Sequence, residues 1–384
     1  MKKNGILFRV ASGLLAAALT LSLTACGGSS SNSDASAAAD SGATHLRLIY
    51  SPARCAAPMY IAIENGYFED EGLDIEQVTV DAAHVSEAIG ADQVDVGMGL
   101  IGKLLQPLEN GLPIKFTTGL HTGCTKLLVP GDSDIKSVAD LKGKKIGVPG
   151  LADAATVVSK RSLSAAGIGV TDQNMEVEFS VYSRNDLAQA LQNGAVDAIA
   201  LGDPAASIAE EQYGLTALID TATDPEYKDE YCCAAFVTSK LAEENPKAAA
   251  AFTRAVQKAS DETAKIITEK EYISGDVDFC AQILKTYNYK PSVQGGYDAL
   301  KQNAEELTQI GVLKEGTDAT KFADNAYIFF DDVPDAPESD ASTDTATKST
   351  KASSVSFQPA AAEAEDDCCS GKITKPAQDT NAKA

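Results

Sequence analysis

Histidine and basic residues are scarce in this sequence. Its 384 residues include three histidines, and 32 Lys and Arg residues stand against 55 Asp and Glu residues, for a formal net charge of -23. This negative charge repels phosphate backbones and argues against a nucleic-acid partner. The shortage of histidine leaves His121 as the one candidate for acid–base chemistry centred on an imidazole. The sequence also lacks Gly-x-Ser-x-Gly, His-Glu-x-x-His and Gly-x-x-x-x-Gly-Lys-Ser/Thr motifs, so it favours a binding protein over an enzyme.

Long apolar runs are missing except near the N-terminus, which argues against a polytopic membrane protein. There, three basic residues precede an apolar segment at 10–23, as in a secretory signal peptide. The Leu-Thr-Ala-Cys sequence that follows resembles the bacterial lipobox, with Cys26 as the lipidated residue. An ordinary signal with a chance cysteine is the alternative. We expect residues 1–25 to be a signal peptide and the exported chain to be lipid-anchored at the outer face of the cytoplasmic membrane.

Both ends of the remaining chain have the composition of linkers. Residues 26–43 are mostly Gly, Ser, Ala and Asp, which is typical of a flexible tether. Residues 331–384 are rich in Pro, Ser, Thr, Ala and Asp and show almost no apolar periodicity, so we expect a disordered acidic tail. Within this tail Cys368 and Cys369 form an adjacent thiol pair, which is either suited to capturing a soft cation or a chance pair.

The body between these linkers alternates strand-like and helix-like patterns. Strands are predicted at 46–50, 73–80, 94–98, 114–120, 145–148, 177–182, 196–201, 216–219 and 232–238. Helices are predicted at 58–68, 84–89, 100–110, 153–166, 185–193, 204–213, 246–269, 276–287 and 293–310. Short strands separated by helices of this length favour parallel sheets covered on both faces. We therefore predict an α/β fold with two lobes.

Four segments of the body, taken in order, resemble one protein family. They are 58–75 (PMYIAIENGYFEDEGLDI), 93–97 (QVDVG), 135–148 (IKSVADLKGKKIGV) and 191–198 (LQNGAVDA). Each segment alone is ordinary strand-turn-helix sequence, but their order and spacing cover nearly the whole body. Together they resemble the NMT1/THI5-like solute-binding proteins, the class that binds nitrate, sulfonates, taurine and pyrimidine precursors.

This resemblance implies a bilobal, type II periplasmic-binding-protein fold with two parallel-sheet lobes joined by a two-crossing hinge. The first lobe would comprise 44–125 and 232–330, and the second 126–231, with crossings near 123–126 and 231–235. It also implies a monomer that captures a small solute between the lobes and delivers it to an ABC permease with its ATPase. No enzymatic activity and no cofactor are expected, although a soft metal ion or metal complex bound as the ligand is an alternative.

Loops that this scheme places at the cleft supply the candidate site. The residues are Arg54, Cys55, Gly97, Met98, Gly99, His121, Thr122, Cys124, Asp153, Asp203, Cys232 and Cys233. Arg54 either clamps an anion or is a surface arginine. The glycines around Met98 form a third-strand loop that admits a ligand close to the backbone, or simply a tight turn. Asp153 and Asp203 either contact the ligand or cap the helices that follow them.

Cysteines depart from the family pattern. Besides Cys26 there are seven, and Cys55, Cys124, Cys232 and Cys233 fall in the first loop or at the crossings. With His121 they would form a set of soft ligands suited to Zn, Cu(I), Fe or an Fe–S-type species. Disulfides, with Cys55–Cys124 the easiest pair, and inert thiols are the alternatives, and an odd number leaves one thiol over. Cys280 has helical spacing and is expected in the core.

An enzyme on the same scaffold is a minor alternative. The eukaryotic pyrimidine-precursor synthases of this family carry a cysteine-rich, iron-linked motif that Cys232 and Cys233 resemble. This chain lacks the consecutive triple cysteine of that motif, and an exported protein would be separated from a cytosolic pathway. The sequence therefore predicts binding without turnover.

Overall fold

The computed structural model describes residues 42–50, 54–80, 84–269 and 285–337. The predictions for the signal peptide, Cys26, Cys280 and the tail pair Cys368–Cys369 lie outside these residues. Within the described part, no helix has both the length and the apolar character needed to cross a bilayer.

Short strands and helices alternate along the chain. The strands are β1 (Thr44–Tyr50), β2 (Leu73–Thr79), β3 (Val96–Leu100), β4 (Ile114–Thr122), β5 (Thr125–Pro130), β6 (Lys145–Val148), β7 (Val170–Thr171), β8 (Asn174–Met175), β9 (Glu178–Val181), β10 (Ala198–Gly202), β11 (Leu215–Asp220) and β12 (Tyr231–Thr238). The helices are α1 (Ala57–Glu64), α2 (Tyr67–Asp70), α3 (Val85–Gly90), α4 (Ile101–Glu109), α5 (Ala154–Ala165), α6 (Leu187–Gln192), α7 (Ala205–Tyr213), α8 (Ser239–Glu244), α9 (Pro246–Glu269), α10 (Val293–Gln309) and α11 (Ala319–Ala326).

Two five-stranded sheets organise the fold, one in each lobe. The first has the strand order β2-β1-β3-β12-β4, and the second has the order β11-β5-β10-β6-β9. β1 runs parallel to β2 and β3, and β6 runs parallel to β9 and β10. The α/β, two-lobed fold class predicted from the sequence is confirmed.

Each sheet is mixed rather than purely parallel. β12 runs antiparallel to β3 and β4, and β5 runs antiparallel to β10 and β11. These two strands directly follow the two points where the chain passes from one sheet to the other. A chain that enters a sheet from the neighbouring lobe arrives without a crossover helix, so it can pair antiparallel to the strands built by βαβ units.

Apolar side chains fill both faces of the sheets and the space between the lobes. In β5, Leu127 and Leu128 point to opposite faces, and each belongs to a different apolar cluster. The cluster containing Leu127 also includes Phe116 and Phe236 from the first sheet, so one continuous apolar core joins the two sheets. Both phenylalanines are fully buried. Their packing holds β4 and β12, the two strands next to the crossings, in position.

Local turns explain where the helices differ from prediction. The predicted helix at 58–68 is interrupted by Gly66, whose φ of 72° ends the first helix and starts α2. The strand predicted at 94–98 is shifted to Val96–Leu100. The sequence reading missed β5 and the short helices α8 and α11, and the helix predicted at 276–287 lies mostly outside the described residues.

Candidate functional site

Five soft ligand side chains meet where the chain crosses between the sheets. His121 lies near the end of β4 and Cys124 directly precedes β5, while Cys232 and Cys233 open β12. Because β4 and β12 are neighbours in the sheet, Cys233 lies opposite His121 in the register. Cys55 reaches the same place from the 3-10 turn Arg54–Ala56 that follows β1.

The ligand atoms of these residues fall into two groups. Cys55, His121 and Cys233 form one group, in which all ligand atoms lie within 4.8 Å of one another. Cys124, Cys232 and Cys233 form the second group under the same limit. The Sγ atoms of Cys124 and Cys232 are 3.1 Å apart, and Cys232 Sγ lies 3.4 Å from His121 Nδ1. None of these four cysteines is joined in a disulfide bond in the structure.

Aromatic side chains cover this thiol cluster, which we define as Cys55, His121, Cys124, Cys232 and Cys233. The His121 ring is fully buried and stacks on Tyr287, with ring centroids 5.2 Å apart and planes 10° apart. Tyr289 packs against the same imidazole with a centroid distance of 5.1 Å. Two polar atoms here, His121 Nε2 and the Tyr289 hydroxyl, are buried without a hydrogen-bond partner. Burying such atoms without a hydrogen-bond partner costs free energy of folding unless a ligand or a water molecule supplies the partner.

Mutual hydrogen bonding splits the four thiols into two classes. Hydrogen bonding from Cys233 lowers the pKa of Cys55 to about 6, and hydrogen bonding from Cys232 holds the pKa of Cys124 well below its usual range. Burial raises the pKa of Cys232, and its hydrogen bond with Cys124 is the main cause of the raised pKa of Cys233. The cluster therefore favours two thiolates held by two thiol donors.

The His121 imidazole responds to those thiolates. Burial lowers its pKa, but the neighbouring Cys55 and the negative charge of Cys124 outweigh burial, so the net pKa is raised. Its Nδ1 atom faces Cys232 Sγ and lies 3.3 Å from the Thr122 carbonyl oxygen. Thiolates and imidazole together make a soft ligand set that suits thiophilic metal ions.

A small cleft, with a volume of about 40 Å³ and open to solvent, reaches one side of the thiol cluster. Its lining includes Leu100, Gly123, Thr125, Arg161, Thr221 and Cys232. The Thr221 hydroxyl accepts hydrogen bonds from the backbone N–H groups of Cys124 and Thr125, at 3.0 and 2.9 Å. The two crossings are thereby tied together beside Cys232, which is the cysteine that the cleft reaches.

Arg161 occupies the opposite wall of this cleft in a cluster of charged side chains. It donates to both carboxylate oxygens of Glu230, at 2.8 and 2.7 Å, and pairs with Glu306 of α10. Its guanidinium carbon lies 5.4 Å from the centre of the Tyr227 ring. Because α5 packs on the second sheet and α10 on the first, this buried group links the two lobes.

Other predicted site residues have structural partners of their own. Asp153 caps α5 by accepting a hydrogen bond from Ala155 N, and it pairs with Arg184 at 2.7 Å. Asp203 accepts hydrogen bonds from the backbone and hydroxyl of Ser207, and burial raises its pKa to about 6. Helix capping, the alternative given for both carboxylates, is what the contacts show.

The expected third-strand loop is wrong, because Gly97, Met98 and Gly99 lie inside β3. A Cβ atom on Gly97 would lie 2.9 Å from the Phe236 ring, and one on Gly99 would lie 2.6 Å from Leu104 Cδ1. These glycines therefore allow close packing within the first lobe rather than an open loop. Met98 is partly buried against a different apolar cluster from the one that contains Phe236 and Leu104, Thr122 is buried near the first crossing, and the Arg54 side chain lies outside the described part.

Sequence reasoning missed the tyrosines and the buried arginine. Tyr287 and Tyr289 alternate around Asn288 just after residues that the structure does not describe. This aromatic alternation was a visible signal, but only the fold places it against His121. Arg161 had no local signal at all, since its carboxylate partners are 69 and 145 residues away in sequence.

Comparisons with known proteins agree with this architecture. The sequence model described as NMT1/THI5 like matches residues 55–266. A Haemophilus influenzae protein named for thiamine biosynthesis is 29% identical over 147 residues, which cover 37% of this chain and 44% of that protein. A Bacillus subtilis protein named for binding aliphatic sulfonates is 25% identical over 235 residues, which cover 59% of this chain and 66% of that protein. This chain therefore aligns with less than two thirds of each relative.

A solved structure shares the fold. The periplasmic aliphatic sulphonate binding protein of Escherichia coli superposes with a TM-score of 0.59 at 18% identity, covering 82% of this chain and 99% of that one. The chain thus belongs to the NMT1/THI5-like family and has the periplasmic binding protein fold.

Proposed function

We propose that this chain is the solute-binding lipoprotein of an ABC importer and that its solute is a soft metal ion or a complex of one. The family and the two-lobed fold support the transport role, and the residues before 26 support export and lipid anchoring at Cys26. In this role the protein is a monomer that closes its lobes on the solute and passes it to a permease.

The thiol cluster is the observation that carries the ligand assignment. Four thiols and an imidazole, drawn from four separate stretches of chain, converge beside the cleft. Thiolates and imidazole bind Zn²⁺, Cu(I) and iron far better than they bind oxyanions. His121 Nε2 has no hydrogen-bond partner in the structure, so its lone pair or its proton is available to a ligand.

Charged side chains near the cleft are less suited to an anionic solute. Arg161 pairs with Glu230 and Glu306, and Lys126 pairs with Glu210 and Asp220. An incoming sulfonate or nitrate would have to displace a carboxylate from these cations, at the cost of the lost pairing. The soft-ligand site has no such competitor.

A small organic anion or pyrimidine-like solute is the second candidate. The name of the Bacillus subtilis relative favours a sulfonate, and Arg54, at the start of the turn that carries Cys55, is the residue expected to clamp it. Under this candidate the cysteines would be paired in disulfides or inert. The two candidates differ in what the purified protein carries.

Native mass spectrometry with metal analysis on the full chain, purified anaerobically, separates them. We expect stoichiometric metal that is lost in C124S/C233S, since Cys233 belongs to both ligand groups, and retained in the matched cysteine control C280S. Metal-free protein with mass deficits of paired hydrogens would overturn the metal assignment and direct the search to sulfonates, with Arg54→Ala as the first variant.

Binding without turnover is the second test. The bound solute is expected to be recovered chemically unchanged after prolonged incubation with the protein, as measured by mass spectrometry of the released ligand. Conversion of any bound small molecule would instead favour an enzyme related to the pyrimidine-precursor synthases.

A further inference from the structure

The two ligand groups of the thiol cluster share one residue. Cys55, His121 and Cys233 form one triad, and Cys124, Cys232 and Cys233 form the other. Cys233 is only 1% exposed and lies between the two triads, on the strand that borders both β3 and β4. A thiolate sulfur can bind two metal ions at once because it keeps more than one lone pair after deprotonation.

We propose that the thiol cluster is a two-metal centre in which the Cys233 thiolate bridges two thiophilic divalent ions, each held by one triad. This inference rests on the proposed metal-binding function and deepens it. Cys55 and His121 complete the first ion's ligands, and Cys124 and Cys232 complete the second ion's ligands.

Distances disfavour a single ion held by four of these residues. Tetrahedral zinc with bonds of about 2.3 Å places its ligand atoms about 3.8 Å apart. Among the described residues no four ligand atoms gather within 4.8 Å of one another, whereas two sets of three do. Each ion would take the three ligand atoms of one group, and the Cys124 and Cys232 Sγ atoms, 3.1 Å apart, would have to separate by a few tenths of an ångström.

Charge balance is compatible with two ions. When all four thiols lose their protons to bound metal, their four negative charges match two divalent ions, and a neutral imidazole adds none.

The surroundings also suit an enclosed metal centre with one accessible side. Tyr287 and Tyr289 cover the His121 ring, and the cleft reaches Cys232. Each triad leaves a fourth coordination position vacant, which is typical of zinc sites that bind an exogenous ligand. Ions or a further ligand would therefore enter from the cleft and not through the aromatic side.

The test counts ions in the full chain with Zn²⁺ as the probe. Anaerobic protein is titrated with Zn²⁺ and examined by native mass spectrometry, with every variant also made in C368S/C369S so that metal held by the tail pair is excluded. We expect two ions in the parent and in C280S, one in C55S, one in C124S, and none in C233S.

Zinc-edge X-ray absorption supplies a second measurement that does not rely on counting ions. The two-ion protein is expected to show metal–metal scattering at about 3.5–4 Å, which C55S loses. Serine keeps the side-chain size, and circular dichroism checks that each variant is folded.

Each other outcome has a definite meaning. One ion in the parent, lost in every single variant, overturns the two-metal centre and leaves the metal-binding function standing. No ion in the parent overturns both. Two ions that persist in C233S would place the bridge elsewhere and overturn the role assigned to Cys233.

Discussion

Two buried polar clusters face the same cleft, and they differ in how completely their atoms are partnered. Around Arg161, the guanidinium donates to Glu230 and pairs with Glu306, and Asn303 adds a further hydrogen bond of 2.6 Å to Glu230. In the thiol cluster, by contrast, His121 Nε2 and the Tyr289 hydroxyl have no partner. One cluster is complete within the protein, and the other is not.

This difference separates a structural role from a binding role. A buried charge whose counter-ions are already in place has no free interaction for a solute. Removing one charged side chain from such a cluster leaves the remaining charges unpaired in the low-dielectric interior. A cluster of soft ligands with unpartnered atoms gains by binding. We therefore expect the Arg161 cluster to respond to substitution mainly in stability, and the thiol cluster mainly in metal binding.

Replacing Arg161 with Met has the largest expected effect on stability. Glu230 and Glu306 would remain as uncompensated carboxylates, so the free energy of unfolding should fall by about 3–5 kcal/mol in urea denaturation. The Arg161 and Glu230 side chains are only 5% and 10% exposed, which is why solvent cannot take over the pairing. Zinc stoichiometry should not change in the fraction that remains folded.

Arg254→Met is the matched control for that substitution. Arg254 also contacts two carboxylates, Glu71 and Asp332, but its side chain is 28% exposed and Asp332 is 65% exposed. Solvent screening limits its expected effect to about 1 kcal/mol or less. If both arginine substitutions lowered the free energy of unfolding by the same amount, burial of the Arg161 cluster would make no difference to its contribution to stability.

Zinc should stabilise the folded chain through the thiol cluster. At a free Zn²⁺ concentration a hundredfold above the dissociation constant, linkage raises the free energy of unfolding by about 2.7 kcal/mol. Thermal unfolding with and without Zn²⁺ measures this, and the gain should vanish in C124S/C233S, which takes a ligand from both groups, while persisting in R161M. A zinc-dependent gain that survives loss of both thiols would move the binding site away from the crossings.

Much of the fold was predictable because its signals are local. Alternating strands and helices set the α/β class, although the break at Gly66, where φ is positive, was not predicted. The strand β5 was missed since its six residues carry no helix after them and its antiparallel place depends on β10 and β11, which are far away in sequence. Long-range pairing of this kind leaves little trace in a single stretch of chain.

The candidate site was predictable only where the family scheme placed residues at a crossing. Cys124 and Cys232 follow from that scheme because both crossings must lie beside the cleft, and Cys55 follows because the first loop lies there too. Arg161 and Tyr289 do not, because their partners come from distant elements that meet through packing. The glycines of β3 were misread because a tight turn and a tightly packed strand both require residues without a side chain.

Gly123 tests how closely the two crossings must approach. It has a φ of 62°, and a Cβ atom there would lie 2.4 Å from the Ala222 Cα atom. Gly123→Ala should therefore lower the free energy of unfolding by about 2 kcal/mol, from left-handed backbone strain and the clash. Because Gly123 adjoins Cys124, zinc affinity should fall too, whereas Gly143→Ala, at a φ of 76° with open space around it, should affect stability alone.

The smallest expected effect comes from a complete charged pair far from the cleft. Asp95 accepts hydrogen bonds from Arg47 N, Nε and Nη2; burial raises the pKa of Asp95, but these bonds outweigh burial and lower it from 3.8. A lowered folded pKa means that the unfolded chain binds the proton more readily, so this stabilisation is present above pH 3.8 and is lost as the pH falls through the folded value.

Asp95→Asn should accordingly cost about 1 kcal/mol at pH 7, and the difference from the parent should shrink as urea denaturation is repeated at lower pH down to about 3. Zinc binding should be unaffected throughout, as for R161M. A cost that stays constant with pH would mean that shape, and not the Arg47 charge, makes the carboxylate necessary. In that case the presence or absence of charged partners would no longer distinguish the paired clusters from the thiol cluster on electrostatic grounds. The number of metal ions bound by each variant would then be the only evidence that the two kinds of cluster differ.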